Sequence, residues 1–157
     1  MFRYPDSRNL PQLLVDENMT KIEHVNITVP DIDEAIRFFS IVAPDFKVRR
    51  DEVAQDGYRW AHIANDDCYF ALQESHPGAK PEKPRTPYRN YGMNHIGLVV
   101  ENLEEIEGKL RAAGYQRSID APIEKYRRRR YFLDRFGFEW ELVEYSSDVP
   151  DQKFAYE

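Results

Sequence analysis

Two stretches of the chain, "IEHVNITV" (22–29) and "MNHIGLVV" (93–100), alternate apolar and other side chains with the period of two that marks a half-buried strand. In the first, Val25, Ile27 and Val29 fall on one face and His24, Asn26 and Thr28 on the other. In the second, Ile96, Leu98 and Val100 oppose His95, Gly97 and Val99. After each strand the apolar period lengthens to that of an amphipathic helix. Ile32, Ala35, Ile36, Phe39 and Val42 make one stripe, and Leu103, Ile106, Leu110 and Ala113 make the other. Asp31 with Glu34, and Asn102 with Glu105, read as N-terminal caps, and Gly114 reads as a left-handed stop. Further extended stretches follow at 45–50, 58–64 and "CYFALQE" (68–74) in the first half. Their counterparts in the second are 115–119, 129–133 and "EWELVEY" (139–145), with "DRFG" (134–137) as the turn into the last.

The two histidines and the two cap pairs recur at one constant offset, so the chain reads as a duplicated strand–helix–strand–strand–strand unit of α+β class. This divides it into an N-terminal extension (1–20), a first module (21–74), a linker (75–92), a second module (93–146) and a tail (147–157). The extension contains "LPQLLV", expected to pack on the outside. The linker, "SHPGAKPEKPRTPYRNYG", is rich in Pro and charge and has no period; it either joins the modules or covers a cleft.

Composition narrows the function classes. At 157 residues and 41% hydrophobic, the chain has enough apolar side chain for a folded core. The 22 basic and 28 acidic side chains leave a formal charge of −6, without the basic bias of many nucleic-acid binders. One cysteine, Cys68, excludes an internal disulfide framework and a cysteine-based zinc site. No apolar run approaches membrane-spanning length, and the first residues lack a continuous apolar signal region; a cytoplasmic protein is expected.

The two histidine-bearing strands and "DRFGFEWELVEY" (134–145) resemble the vicinal oxygen chelate superfamily of glyoxalases, bleomycin resistance proteins and extradiol dioxygenases. The resemblance covers about residues 21–145. It implies paired βαβββ modules whose mixed sheets curl, barrel-like, around a cleft holding a divalent metal. It assigns the metal to His24, His95 and Glu141, the last being the Glu four positions beyond the turn glycine Gly137. The matching place in the first copy is Ala71, so the fourth ligand of glyoxalase I is missing; Gln73 is on the same face but out of register. Two imidazoles and a carboxylate with open positions suit Fe, Mn or Zn, and Ni is a further candidate.

Other residues have two readings each. His62 shares an alternating face with Tyr58 and Trp60; it is either a proton donor or acceptor in the cleft or an edge histidine on a sheet surface. In "KYRRRRY" (125–131), Arg127 and Arg129 point one way and Arg128 and Arg130 the other. One pair either enters the cleft to bind an anionic substrate group or lies on a solvated strand. Asn26, Trp60, Arg127 and Arg129 are the candidate substrate-binding residues. His76 is expected in solvent and Cys68 as a buried, chemically silent side chain.

The implied function is a metal-dependent enzyme acting on a small oxygenated molecule, by lyase or isomerase chemistry or by extradiol-type dioxygenation. The alternatives are a metal-free protein that sequesters a flat ligand, as bleomycin resistance proteins do, and a module with a vestigial cleft. Nucleic acid and membrane are not expected partners. Whether one chain closes its own cleft or two chains exchange modules stays open, and the resemblance favours a homodimer.

Overall fold

The computed structural model describes residues 21–79, 88–89, 92–153 and 155. The expected packing of "LPQLLV" lies outside these residues, as does most of the linker. The element order is β1 (His24–Thr28), α1 (Ile32–Val42), β2 (Lys47–Val53), β3 (Arg59–Ala64), β4 (Tyr69–Gln73), β5 (His95–Val99), α2 (Leu103–Ala112), β6 (Gln116–Arg117), β7 (Arg127–Leu133), β8 (Glu139–Tyr145) and α3 (Pro150–Lys153). Apart from the short α3, this is the βαβββ unit twice, in the expected α+β class.

Each unit makes one mixed four-stranded sheet, ordered β1-β4-β3-β2 and β5-β8-β7-β6. In both, the first strand runs parallel to the last, and the others pair antiparallel. The parallel pair requires a crossover, which α1 and α2 supply. Among the described residues, the first strand of each unit has a sheet neighbour on one side only. The two sheets therefore stay separate ladders and do not close into one barrel within the chain.

The apolar faces meet in one core. Ile27, Ala61, Ile63, Phe70 and Leu72 of the first sheet pack under α1, and Phe132, Trp140 and Leu142 of the second join the same cluster. Phe38 is the join between modules. It is 1% exposed, with its ring centroid 5.1 Å from Tyr115 and 5.6 Å from Trp140. The helix stripe read from sequence omits Phe38 because it lies beside the stripe that faces α1's own sheet; a second module covers it. Ile36, placed in that stripe, is only partly buried.

The caps divide. Asp31 accepts the Glu34 N–H at 3.1 Å, as expected for an N-cap. Asn102 does not cap α2: its backbone is left-handed (φ 58°) and its side chain makes no cap bond. Glu144 of β8 reaches across instead and accepts the Leu103 N–H at 3.1 Å. Gly114 is the expected stop, with φ 87° and the Tyr115 N–H returning to Leu110 O at 3.0 Å. The "DRFG" turn is built on Asp134, whose carboxylate takes the Phe136 and Phe138 N–H groups at 2.9 and 3.0 Å and the Trp140 indole at 3.1 Å.

Candidate functional site

The faces turned away from the helices carry the chemistry, and register decides which side chains meet there. In the second sheet His95 pairs with Glu139, Gly97 with Glu141, and Glu141 in turn with Tyr131 of β7. His95 Nε2 lies 3.0 Å from Glu141 Oε2. The other Glu141 oxygen accepts the Tyr131 hydroxyl at 2.8 Å and Arg129 at 3.3 Å. Burial and this carboxylate push the Tyr131 phenol up to about 12. Gly97 lies beside this carboxylate, where a Cβ would make ordinary contact with Oε2 at 3.8 Å.

The far side of the His95 ring is also held. Glu139 is 4% exposed and accepts hydroxyl hydrogens from Tyr88 and Ser118, each at 2.5 Å. The Tyr88 oxygen also lies 3.0 Å from His95 Nδ1. About half of Tyr88 reaches solvent, but its hydroxyl turns inward; desolvation and the Glu139 carboxylate push the phenol well above its ordinary value. With the Tyr88 proton on Glu139, the tautomer that completes the chain has Nδ1 donating to the Tyr88 oxygen. In a neutral ring Nε2 is then an acceptor, facing a carboxylate acceptor at 3.0 Å. Such a pair needs a cation between or upon it, either a proton or a metal ion. His95 and Glu141 thus fit two places in a divalent-ion shell.

His24, the third expected ligand, belongs to a different neighbourhood. It stacks on Tyr69, with centroids 4.7 Å apart and planes at 15°, and its Nδ1 meets the Glu23 carboxylate. Among the described residues no three His, Cys, Asp or Glu side chains gather closely enough to hold a metal ion. One chain brings two of the three residues together.

The rest of the first sheet's open face is aromatic. The ring series continues from Tyr69 to His62 (4.8 Å) and from His62 to Trp60 (4.9 Å). Asn26 donates to Gln73 at 3.3 Å across it. Asn26, Trp60 and His62 line one open cavity of about 280 Å³, with Ala71 and Gln73. His62 therefore belongs to this cavity and not to the His95–Glu141 pair. His76 is not simply solvated: it stacks on Tyr58 at 4.1 Å. Cys68 is half-buried, and desolvation pushes its thiol up.

The arginine run divides as alternation requires. Arg128 pairs with Glu144 and Glu104, and Arg130 with Glu107. Arg127 and Arg129 lie on the Glu141 side, and both pair with Glu124 at 2.7 Å. Burial alone would raise the Glu144 carboxyl, but the Leu103 N–H and Arg128 outweigh it and hold it below the usual range.

Sequence reasoning passed over Glu139, Tyr131, Tyr69 and Tyr88. The first three had a signal, since alternation puts them on the faces of Glu141, Arg129 and Ala71. Tyr88 had none, because it comes from the aperiodic linker.

The chain belongs to the Glyoxalase/Bleomycin resistance protein/Dioxygenase superfamily, whose family model matches residues 21–142. Its fold is shared with a glyoxalase family protein from Bacillus cereus (17% identity, TM-score 0.70, covering 85% of this chain and 99% of that one). A glyoxylase/bleomycin resistance protein/dioxygenase domain from Frankia sp. EAN1pec is similar at 20% identity and TM-score 0.64, over 82% and 99% of the two chains. A genomically encoded fosfomycin resistance protein, FosX, from Listeria monocytogenes, in complex with Mn(II) and sulfate, matches at 12% identity and TM-score 0.62, over 88% and 100%. No functionally curated protein sequence matches the chain. Among the described residues no helix is long and apolar enough to cross a membrane.

Proposed function

We propose that this protein is a metal-dependent enzyme acting on a small oxygenated substrate, and that its site is shared between two copies of the chain. His95 and Glu141 of one copy and His24 of the other hold the ion. The observation that carries this reading is the His95 Nε2–Glu141 Oε2 approach at 3.0 Å, with Nδ1 occupied on the other side by the Tyr88 hydroxyl. Membership of a superfamily that includes metal-dependent enzymes supports it, as does the Mn(II) in the FosX complex. The one-sided edges of β1 and β5, with Val99 72% exposed beside the second, support a second copy there.

A divalent ion so bound supplies Lewis acidity to neighbouring oxygens of a substrate. The chain's own part is positioning. Tyr131 and Arg129 orient Glu141, and Tyr88 with Glu139 orients the His95 ring and its tautomer. His62, whose ring lies between Trp60 and Tyr69, would accept or donate a proton beside a ligand on the first sheet. Lyase or isomerase chemistry and extradiol-type dioxygenation both fit this arrangement.

The test is elemental analysis of anaerobically purified protein beside His24→Ala, His95→Ala and Glu141→Ala. Stoichiometric metal in the parent and its loss from all three supports the reading. Equal metal in parent and variants overturns the ligand set. A second reading, metal-free sequestration of a small molecule, is favoured by Glu141's existing bonds to Tyr131 and Arg129. It predicts a metal-free parent that still binds a ligand.

A further inference from the structure

The two modules have diverged at equivalent positions, and the divergence points to a ligand class. Both sheets set the first-strand histidine beside the last strand, with the third strand next in line. In the second sheet the residues flanking this row are Glu139, Glu141, Tyr131 and Arg129. The equivalent places in the first are Tyr69, Ala71, His62 and Trp60. Acid, phenol and guanidinium on one side have become aromatic rings around a single small residue on the other. Ala71 sits between Asn26 and His62 in register and makes the floor; a longer side chain there would fill the cavity.

Among the described residues, charge is balanced around the cavity. Arg50 and Glu52 of β2 stand opposite His62 and Trp60 and pair with each other at 2.9 Å. Besides His62 and Tyr58, the polar residues lining the cavity are Asn26 and Gln73, whose amides are joined by a long 3.3 Å bond that leaves capacity for a further partner. Trp60 and His62 are inclined at 58°, so they form two walls of a wedge and not a flat stack. An aromatic wedge with an amide edge and, among the described residues, no unbalanced charge favours a flat, uncharged ring whose oxygen reaches the amides.

We propose that the first module's open face is a subsite for a planar, uncharged, unsaturated ring compound, stacked against Trp60 and His62 over Ala71, with a polar substituent on Asn26 and Gln73. The subsite is made by one module. It rests on the shared-site reading only in that the same ligand's oxygens would extend toward His24 and the ion.

The probe is 4-nitrobenzyl alcohol, flat, neutral and an efficient quencher of tryptophan, with cyclohexylmethanol as its puckered counterpart. The chain has two tryptophans, and Trp140 is 2% exposed, so quenching reports Trp60. Saturable quenching by the flat alcohol is expected, with at least about tenfold weaker binding of the puckered one in competition. Ala71→Leu and Trp60→Ala, measured by equilibrium dialysis with thermal melts alongside, should each weaken binding about tenfold. Trp60→Ala removes a partly exposed ring and keeps the test valid should Ala71→Leu misfold. Glu141→Ala should bind the probe as the parent does, whatever becomes of its metal, which separates this subsite from the shared-site reading. Non-saturable quenching, equal affinity for the two alcohols, unaltered binding by a folded Ala71→Leu or Trp60→Ala, or loss of binding in Glu141→Ala would each overturn it.

Discussion

The hydroxyl of Tyr88 stands between His95 and Glu139, 3.0 Å from the imidazole and 2.5 Å from the carboxylate. Tyr88 reaches this place from the linker through a left-handed backbone (φ 64°), its own N–H held by Asn94 Oδ1 at 2.8 Å. A non-glycine residue in that conformation is kept there by its surroundings.

Tyr88→Phe keeps the ring and removes the bridge. Loss of an outer hydrogen-bond partner of a ligating histidine should lower metal affinity by about 10- to 100-fold. Leaving Glu139 with Ser118 alone should cost roughly 1–2 kcal/mol of stability. Metal titration and urea unfolding read the two effects separately. Unaltered metal affinity would remove Tyr88 from the site.

Sharing of the site between copies predicts complementation. His24→Ala and His95→Ala chains, each unable to hold the ion alone, restore one intact site per mixed dimer. Random re-association at equal amounts should recover about one quarter of the parent's metal. A cleft closed within one chain would recover none.

Glu144 gives a pH dependence. Its folded carboxyl lies below the ordinary glutamate value of 4.5, held there by the Leu103 N–H and Arg128 against the opposing effect of burial. The stability it contributes is present above that ordinary value and is lost as pH falls through the lowered folded value. Glu144→Gln should flatten this part of the acid-unfolding profile and destabilise α2's start by about 1 kcal/mol at neutral pH. Denaturant melts across the acid range check both.

Phe38→Ala tests the join between modules. Removing a ring buried against Tyr115 and Trp140 should cost about 3–5 kcal/mol. Because both modules contribute to one core cluster, they should still unfold in one transition at a lower temperature, read by circular dichroism. A small loss confined to α1 would show that the modules do not depend on this contact.

Much of this was legible in the chain before any coordinates. The period of two put His24 with Asn26 and His95 with Gly97, and the longer period placed both helices. The constant offset between the histidines exposed the duplication. These are properties of neighbours along the backbone, where pleat and helix geometry dictate which side chains share a face. Glu144 and Asn102 show the limit. A capping pattern was present at Asn102, yet a carboxylate 42 positions later in the chain took the N–H, because strand register brought it there.

By itself, the sequence determined the class of fold, the repeat and the faces on which histidine, glutamate and aromatic residues lie. Tertiary structure alone decided which of those faces meet. It set His95 against Glu141 and Tyr88, gave His24 to an aromatic wall with His62 and Trp60, and buried Phe38 between the modules. Such meetings depend on strand register and on the packing of one module against another, and no local period carries information about contacts between segments so far apart.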